Sequence, residues 1–434
     1  MEATTSAVTR RDRRRRRRWA PAMVAGSLVA GALAAASGTA PAGASGGLTA
    51  SAPGVTPTTI TIGLPVAETG PAASTFETAP IGAQARVAYQ NAHGGVDGRK
   101  LVLDIVDDQT NPSLIVAGTK DLLSKPAFGI VAFDSFFFNV APYLQSQGVP
   151  VTGLALDGIE WGQHPYTNMF SYNGSYDSKQ PVYAYGGKFL KSRGVTKFAV
   201  LAYNVSKTST AAATGYAFSA KHAGIAVPYE NLSIPFGSSD FTSVALAMKA
   251  DGINGLYAGL VESSDIGLLT SLRDAGITLK AVVLSTGYGQ QILEQPDADA
   301  AAQGAFFTSL TVPIENHSPA TVAWLNAMAK YSNGAYRAGT VPDFGETGAW
   351  LSVDAMIYGL QHAGKNPTRA SFEKAMETTT DYTAGGLLTA PASWAHFGTF
   401  PPTSCASLEQ LEGKHFVPTP VVCGNLLPNS DQLP

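Results

Sequence analysis

Cysteine and charged residues are both scarce in this sequence. Of its 434 residues only two are cysteines, and 14% are charged, against about 25% in an average soluble protein. Two cysteines exclude a dense disulfide framework, and a chain long enough for two or three domains, each with a full core, does not need one. Hydrophobic residues make up 45% of the chain, which excludes wholesale disorder.

Several motifs that carry chemistry are absent as well. No G-x-x-x-x-G-K-[ST] phosphate loop occurs, and the seven histidines are scattered without an H-x-x-x-H pair. The adjacent carboxylates Asp107 and Asp108 follow a predicted strand, and we interpret them as a helix cap rather than as a catalytic pair. We therefore predict no enzyme, no cofactor and no metal site.

Basic residues are fewer than acidic residues in the body of the chain. The net charge of −3 includes eight arginines within the first 18 residues. Without residues 1–44 the chain keeps 21 of its 29 basic residues and 30 of its 32 acidic residues, a net charge of −9. An acidic body argues against nucleic acid and against an anionic membrane surface as partners.

The N-terminal segment has the pattern of a signal peptide. Six arginines at 13–18 precede an uncharged, Ala- and Gly-rich stretch at 19–36, and small residues lead to Ala42-Gly43-Ala44. The pattern predicts cleavage after Ala44 and export to the extracellular, cell-wall or periplasmic space. A retained membrane anchor and a nucleic-acid-binding arm are the alternatives; against the anchor, the apolar stretch is short and holds Gly, Ser and Pro.

Two details of this segment bear on export. Arg10-Arg11 leaves both the general secretory and the twin-arginine route open. Ser37 stands where a lipoprotein would carry its cysteine, so no lipid anchor is expected. In an exported chain the isolated pair Cys405 and Cys423 predicts one disulfide, whose loop of about 18 residues is worth roughly 3 kcal/mol. Two free buried thiols are the alternative.

After a small-residue linker at 45–57 the sequence alternates predicted strands with predicted helices. Asn111 followed by Pro112 is a helix start, with the cap residue before proline at the first helical position. Such alternation predicts an α/β fold with parallel sheets and helices on both faces. The tail from Gly385 on is predicted to be more loop than sheet. The predicted strands are 59–64, 101–106, 128–133, 149–153, 197–201, 229–234, 255–258, 280–284 and 305–309.

Five segments, in this order and spacing, resemble one protein family. They are Ile62-Gly63-Leu64 with Thr69-Gly70-Pro71, the GGVDGRKL turn at 94–101, the DDQTNP junction at 107–112, the DFT segment at 240–242 and LRDAGI at 272–277. Together they resemble the extracytoplasmic substrate-binding proteins of ABC importers that are typified by the leucine/isoleucine/valine-binding proteins. The resemblance covers residues 59–377.

The resemblance implies two Rossmann-like lobes joined by three hinge crossovers, with a ligand held between them. Lobe one would comprise 58–172 and 311–380, lobe two 173–310 and 381–428, and 429–434 would be a short tail. The function implied is a monomeric receptor that captures a small molecule and delivers it to an ABC permease. A sensory receptor of the same fold, coupled to a signalling system, is the alternative.

The resemblance also places the ligand at loops that follow the strands of both lobes. In lobe one these loops contain Ser74 and Phe76, then Asp134, Ser135 and Phe136, then Ala155 and Asp157. In lobe two the corresponding residues are Tyr203, Lys207, Val261, Glu262, Thr286 and Tyr288.

The expected ligand type departs from the family's usual one. Amino-acid receptors of the family carry small hydroxyl residues where this chain has three phenylalanines at 136–138, and an acidic residue near Thr286. We therefore expect aromatic or larger apolar ligands, carboxylates included, to bind better than leucine, isoleucine or valine. Asp157 and Glu262 are the residues that could restore an ammonium site by another route.

Overall fold

The structure is a computed structural model that describes residues 47–156, 158, 160–162, 164–173, 181–395 and 403–430. The predicted signal peptide and its cleavage site lie outside the described residues, and so does Asp157. Among the residues described, no helix has the length and apolar character needed to cross a membrane.

The first run of the chain forms a five-stranded, fully parallel sheet. Its strands are β1 (Thr59–Val66), β2 (Lys100–Asp107), β3 (Ile130–Ala132), β4 (Val151–Gly153) and β5 (Met169–Ser171). The strand order is β2-β1-β3-β4-β5. Ile60, Ile62 and Leu64 of β1 are fully buried, as expected for a strand with helices on both faces.

The helices of this run are α1 (Ala73–Phe76), α2 (Ala79–Ala92), α3 (Pro112–Ser124) and α4 (Ala141–Ser146). The predicted start of α3 is confirmed, because the Asn111 side chain accepts hydrogen bonds from the backbone of Ser113 and Leu114. This cap fixes where the chain turns from β2 into the helix.

The second run forms the larger part of a seven-stranded sheet. Its strands are β6 (Lys197–Tyr203), β7 (Ala226–Ile234), β8 (Gly255–Gly259), β9 (Ala281–Leu284) and β10 (Phe306–Thr308). Its helices are α5 (Tyr185–Ser192), α6 (Lys207–His222), α7 (Thr242–Asp251), α8 (Glu262–Asp274), α9 (Gln290–Glu294) and α10 (Pro296–Ala302). These five strands are all parallel.

The chain then returns to the first sheet with α11 (Pro319–Tyr331), α12 (Phe344–His362) and α13 (Arg369–Glu377). Helix α12 lies directly against the sheet and against α2. A Cβ on Gly348 would stand 1.9 Å from the Phe133 ring, and one on Gly82 would stand 1.9 Å from the carbonyl oxygen of Glu346. Glycine at these two positions lets α12 approach both neighbours closely.

The tail has four strands that the sequence did not predict, although most of its described residues lie outside them, as expected for a tail that is more loop than sheet. The tail holds β11 (Thr403–Ala406), β12 (Leu408–Glu412), β13 (His415–Pro418) and β14 (Val422–Asn425). β12 pairs antiparallel with β10 and β13 with β12, so the second sheet has the order β13-β12-β10-β9-β8-β6-β7. The four strands are short and lack strong alternation, so they gave no sequence signal. β12 and β13 form by pairing at the edge of the existing sheet.

β11 and β14 form a separate antiparallel pair in which Cys405 lies opposite Cys423. The two cysteines are joined by a disulfide. Residues 381–395, which the sequence analysis grouped with lobe two, contact the first sheet. Trp394 donates its indole N–H to the Ser171 carbonyl oxygen at 2.8 Å, and Tyr382 donates to Asp354 at 2.7 Å.

Four short 3₁₀ helices complete the described secondary structure: Phe137–Asn139, Glu160–Gly162, Ile314–Asn316 and Ala384–Gly386.

Candidate functional site

A cavity of about 210 Å³ lies between the two lobes, at the carboxyl ends of strands from both sheets. Open α/β sheets bind ligands at this edge. The first lobe contributes α1, the loops after β3, β4 and β5, and the start of α12. The second contributes the ends of β6, β8 and β10, the start of α6, and the loops after β7 and β9. The lining residues are Thr75, Phe76, Ser135, Leu154, Ala155, Leu156, Asn173, Tyr203, Thr208, Ser209, Ala212, Phe236, Tyr257, Gly259, Leu260, Val261, Ser285, Thr286, Thr308, Leu310 and Phe344.

Some of the residues predicted to bind ligand lie on this wall. They are Phe76, Ser135, Ala155, Tyr203, Val261 and Thr286. Ser135, Ala155, Val261 and Thr286 follow strand ends, as the sequence pattern predicted. Tyr203 is the last residue of β6, and Phe76 lies in α1, where a loop was expected. The structure therefore brings these residues of the two lobes together around one space.

Three predicted residues of the first lobe lie beside the wall. Asp134 is buried, and its Oδ1 accepts a hydrogen bond from the Phe136 backbone at 2.7 Å. Burial raises the pKa of Asp108, which faces the Asp134 side chain, to about 6. The Phe136 ring packs on Phe236 with centroids 4.9 Å apart. Ser74 accepts a hydrogen bond from the second lobe, described below.

Three predicted residues of the second lobe also lie off the wall. Lys207 is the exposed first residue of α6. The Tyr288 hydroxyl donates to the Glu315 carboxylate at 2.9 Å, and its ring packs edge-on against Phe416. Glu262 is buried at the start of α8 and is part of the acidic group described below.

Sequence reasoning missed much of the apolar wall. Phe236 follows β7, whose loop was not considered, although a loop after a parallel strand is a general signal for this edge. Phe344 opens α12, more than 180 residues after Leu154 and Ala155, and no sequence pattern connects these positions. Thr208 and Ser209 lie in the first turn of α6, shortly after β6 ends at Tyr203.

The wall is apolar and aromatic, and none of the lining residues within the described part of the chain is charged. Its hydroxyls are mostly bound already. Thr286 donates to the Leu260 carbonyl oxygen at 3.0 Å, and Ser209 to that of Gly259 at 2.6 Å. The Ser135 hydroxyl oxygen is buried and has no hydrogen-bond partner among the described residues.

An acidic group lies at one edge of the cleft, outside the lining residues. Burial, together with the smaller effect of the neighbouring charges of Asp343 and Glu77, raises the pKa of Glu262 to about 8. Burial likewise raises the pKa of Asp343 to about 6 and that of Glu346 to about 8. The pKa of Asp265 lies well above its usual range because its carboxyl is fully buried near Glu262. At neutral pH the carboxyl groups of Glu262 and Glu346 are therefore mostly protonated.

The first lobe caps a helix of the second. Helix α8 has no side-chain cap of its own at Val261. Instead the Thr75 hydroxyl accepts a hydrogen bond from the Glu262 backbone N–H at 3.0 Å, and the Ser74 hydroxyl accepts one from Ser263 at 3.2 Å. These are the first two N–H groups of the helix, which lack partners within it.

Further contacts between the lobes surround the cavity. The Gln291 backbone N–H donates to the Asp343 carboxylate at 2.7 Å, and the Gln291 side chain donates to Glu77 at 2.9 Å. On the other side the Phe236 ring packs on Phe136. These direct contacts mean that the structure is in a closed arrangement, with the cavity held between the lobes.

No metal site accompanies the cavity in the ranges that the structure describes. Nowhere in them do three His, Cys, Asp or Glu side chains come together as metal ligands would. What the cavity can do chemically is enclose a small apolar molecule and offer it a few hydrogen bonds.

Comparison with known sequences gives a consistent family. A model described as periplasmic binding protein matches residues 59–414. The Leu/Ile/Val-binding protein homolog 3 of Brucella melitensis is 27% identical over 323 residues, which cover 73% of this chain and 83% of that protein. The Leu/Ile/Val-binding protein BraC3 of Rhizobium johnstonii is 23% identical over 70% of this chain and 80% of that protein.

Solved structures share the fold at low sequence identity. A fatty acid ABC transporter substrate-binding protein from Thermomonospora curvata has a TM-score of 0.69 and 19% identity, covering 89% of this chain and 96% of that one. A branched-chain amino acid ABC transporter protein from Thermus thermophilus with bound valine has a TM-score of 0.67 and 15% identity, covering 86% and 97%. These likenesses confirm the predicted fold of two Rossmann-like lobes. A shared fold does not identify the ligand.

Proposed function

Because the chain belongs to the periplasmic binding protein family, we propose that it is an exported solute receptor that captures a small organic molecule and delivers it to an ABC permease. The observation that carries the proposal is the closed cavity, whose wall is built by strand ends of both lobes. A molecule in this cavity contacts both lobes at once, so its binding energy favours the closed form over the open one. The permease would then recognise the closed form.

The names of its relatives support the import role. Two relatives are Leu/Ile/Val-binding proteins, and proteins of the same fold are named for fatty acid transport or hold valine. Branched-chain amino acid-like molecules and apolar or aromatic carboxylates are therefore the candidate solutes. We propose a monomeric receptor with the lobe boundaries given above, except that residues 381–395 belong to lobe one, and with no nucleic-acid partner.

A thermal-shift screen of the mature protein against a metabolite library tests the receptor role. A ligand at 100 times its Kd adds about 2.7 kcal/mol to the free energy of unfolding, so a true solute should raise the melting temperature by several degrees. The library should contain amino acids, aliphatic acids and aromatic acids. If no compound raises the melting temperature, the receptor proposal is wrong.

Two variants of neighbouring alanines on α6 control for binding elsewhere. Ala212 lines the cavity and Ala211 does not. Ala212→Phe should fill the cavity and abolish the shift caused by the ligand, whereas Ala211→Phe should keep it. A shift that persists in Ala212→Phe would place the ligand outside the cavity.

A further inference from the structure

We infer that the cavity accepts a compact apolar carboxylate without an amino group, in preference to a zwitterionic amino acid. The inference rests on the proposed receptor function and goes on to name its ligand class. It follows from the charges around the cavity, from one unpaired hydroxyl and from the aromatic wall.

In the part of the chain that the structure describes, the wall offers no carboxylate to balance an ammonium group. None of the described lining residues is an aspartate or a glutamate, and an ammonium group buried without a carboxylate loses much of its hydration energy. Four described acids adjoin lining residues along the chain and are not themselves part of the lining: Glu77, Asp134, Glu262 and Asp343. Asp157, which adjoins Leu156, lies outside the described residues. Burial holds the pKa of Glu262 at about 8, so at pH 7 its carboxyl is mostly neutral.

A negative group fits the same wall better. Helix α6, of 16 residues, begins at the cavity with Thr208 and Ser209 on the lining. The positive end of the helix dipole therefore faces the enclosed space, which favours a carboxylate and disfavours an ammonium group.

Ser135 independently points to a polar ligand atom. Its side chain is on the wall, the residue is only 2% exposed, and its hydroxyl oxygen has no partner among the described residues. A buried hydroxyl without a partner is costly. A ligand carboxylate that accepts its hydrogen would remove that cost, and such charge-assisted bonds are stronger than neutral ones.

The remaining wall selects for an apolar body. Phe76, Tyr203, Phe236, Tyr257 and Phe344 supply five aromatic rings. The rings of Tyr203 and Phe236 already pack together with centroids 4.7 Å apart, a spacing typical of favourable aromatic pairs. A dry cavity of about 150 Å³ holds benzene, so this cavity of about 210 Å³ has room for one ring or one branched chain with a carboxylate.

Isothermal titration calorimetry at pH 7 with matched pairs tests the inference. The pairs are 3-phenylpropanoate with phenylalanine and 4-methylpentanoate with leucine, which differ only in the amino group. In at least one pair the acid without the amino group should bind at least tenfold more tightly. Tighter binding of either amino acid than of its matched acid would overturn the inference. Loss of that binding in Glu262→Gln would then identify Glu262 as the ammonium partner.

A serine variant separates the polar contact from simple burial. Ser135→Ala should weaken binding of the preferred acid about tenfold, while the melting temperature without ligand stays unchanged or rises. Ser264→Ala is the matched control, because the Ser264 hydroxyl donates to Ser238 within the second lobe and away from the wall. Equal affinities of Ser135→Ala and the unaltered protein would overturn the role of this hydroxyl.

Failure of this inference is distinct from failure of the receptor role. If neither pair binds but another compound raises the melting temperature in the screen, the ligand class is wrong and the receptor role stands. If nothing in the screen binds, both are wrong.

Discussion

Buried ionisable residues in this protein differ in whether their charge is paired by hydrogen bonds. Arg99 is fully buried, and its guanidinium donates to the carbonyl oxygens of Thr56, Lys365 and Thr49 and to the side chain of Asn366. A guanidinium with its donors paired can stay charged inside a protein. In this way Arg99 fastens the start of the lobe to the loop after α12.

Among the described residues, the buried acids Glu262 and Asp265 at the cleft edge have only acidic charged neighbours. Glu262 lies near Asp343, Glu77 and Asp265, so its ionisation is opposed first by burial and then by like charges. The folded protein therefore holds a proton on this side chain at pH values where the unfolded chain has released it.

The titration of Glu262 predicts a loss of stability at high pH. Its pKa is about 8 in the folded protein against an ordinary value of 4.5, so folding takes up a proton between these values. The free energy of unfolding should therefore fall as pH rises from about 4.5 to about 8. Glu262→Gln keeps the neutral form, so relative to the unaltered protein it should gain about 2 kcal/mol or more between pH 5 and pH 8.5.

Urea unfolding at the two pH values measures this change. The control is Asp274→Asn, an exposed acid at the end of α8, whose stability difference from the unaltered protein should not depend on pH in this range. An equal difference for Glu262→Gln at pH 5 and pH 8.5 would contradict the prediction.

At the scale of elements, the start of α8 is completed only when the lobes meet. The first two backbone N–H groups of the helix donate to Thr75 and Ser74 of the other lobe. A helix N-terminus without a cap loses about 1 kcal/mol. Closure therefore supplies a stabilising contact that the open form lacks, and part of the ligand's apparent affinity depends on it.

Removal of both hydroxyls should weaken closure. In Ser74→Ala/Thr75→Val we expect ligand affinity to fall about five- to tenfold, since the closed form loses about 1 kcal/mol or more. Small-angle X-ray scattering with saturating ligand should show a larger radius of gyration than for the unaltered protein. Calorimetry with the best ligand from the screen measures the affinity.

A cap within one lobe provides the matched control. Thr368 caps α13 by accepting from the Ser371 backbone at 3.1 Å. Thr368→Ala should lower the melting temperature and leave ligand affinity unchanged. If the Ser74/Thr75 variant loses stability but keeps full affinity, the two hydroxyls do not act in closure.

At the scale of the whole molecule, the sequence divides into a predicted signal peptide and an acidic remainder. Eight arginines fall in the first 18 residues, whereas the body carries a net negative charge. The strongly basic, then apolar start has the order that secretion machinery recognises. An imported solute is captured outside the cytoplasm, so export is a condition of the proposed function.

Export predicts a specific mature N-terminus. When the full chain is expressed in its native host, the protein recovered outside the cytoplasm should begin near Ser45, because cleavage is predicted after Ala44. Intact-mass spectrometry and N-terminal sequencing measure this. Changing Ala42 and Ala44 to leucine should block cleavage and serves as the control. An intact cytosolic chain that retains its arginines would contradict the prediction.

Much of the architecture could be predicted from the sequence because the signals are local. Alternating apolar runs, the Asn111-Pro112 helix start and the strand ends each depend on a few neighbouring residues. Since the carboxyl ends of parallel strands share one edge of a sheet, the loops that hold Ser135 and Ala155 could be grouped without knowledge of any contact. The expectation that Val261 of the second sheet lies at the same cleft came from the family resemblance.

The character of the cavity was decided only by the tertiary structure. Phe236 and Phe344 reach the wall from elements far apart along the chain, and Asp134 turns out to support the backbone of its own loop. β12 and β13 form because β10 offers an unpaired edge. These outcomes depend on contacts between residues that are distant in sequence, which local propensity cannot encode, and they determine which side chains face the cavity and which are buried behind it.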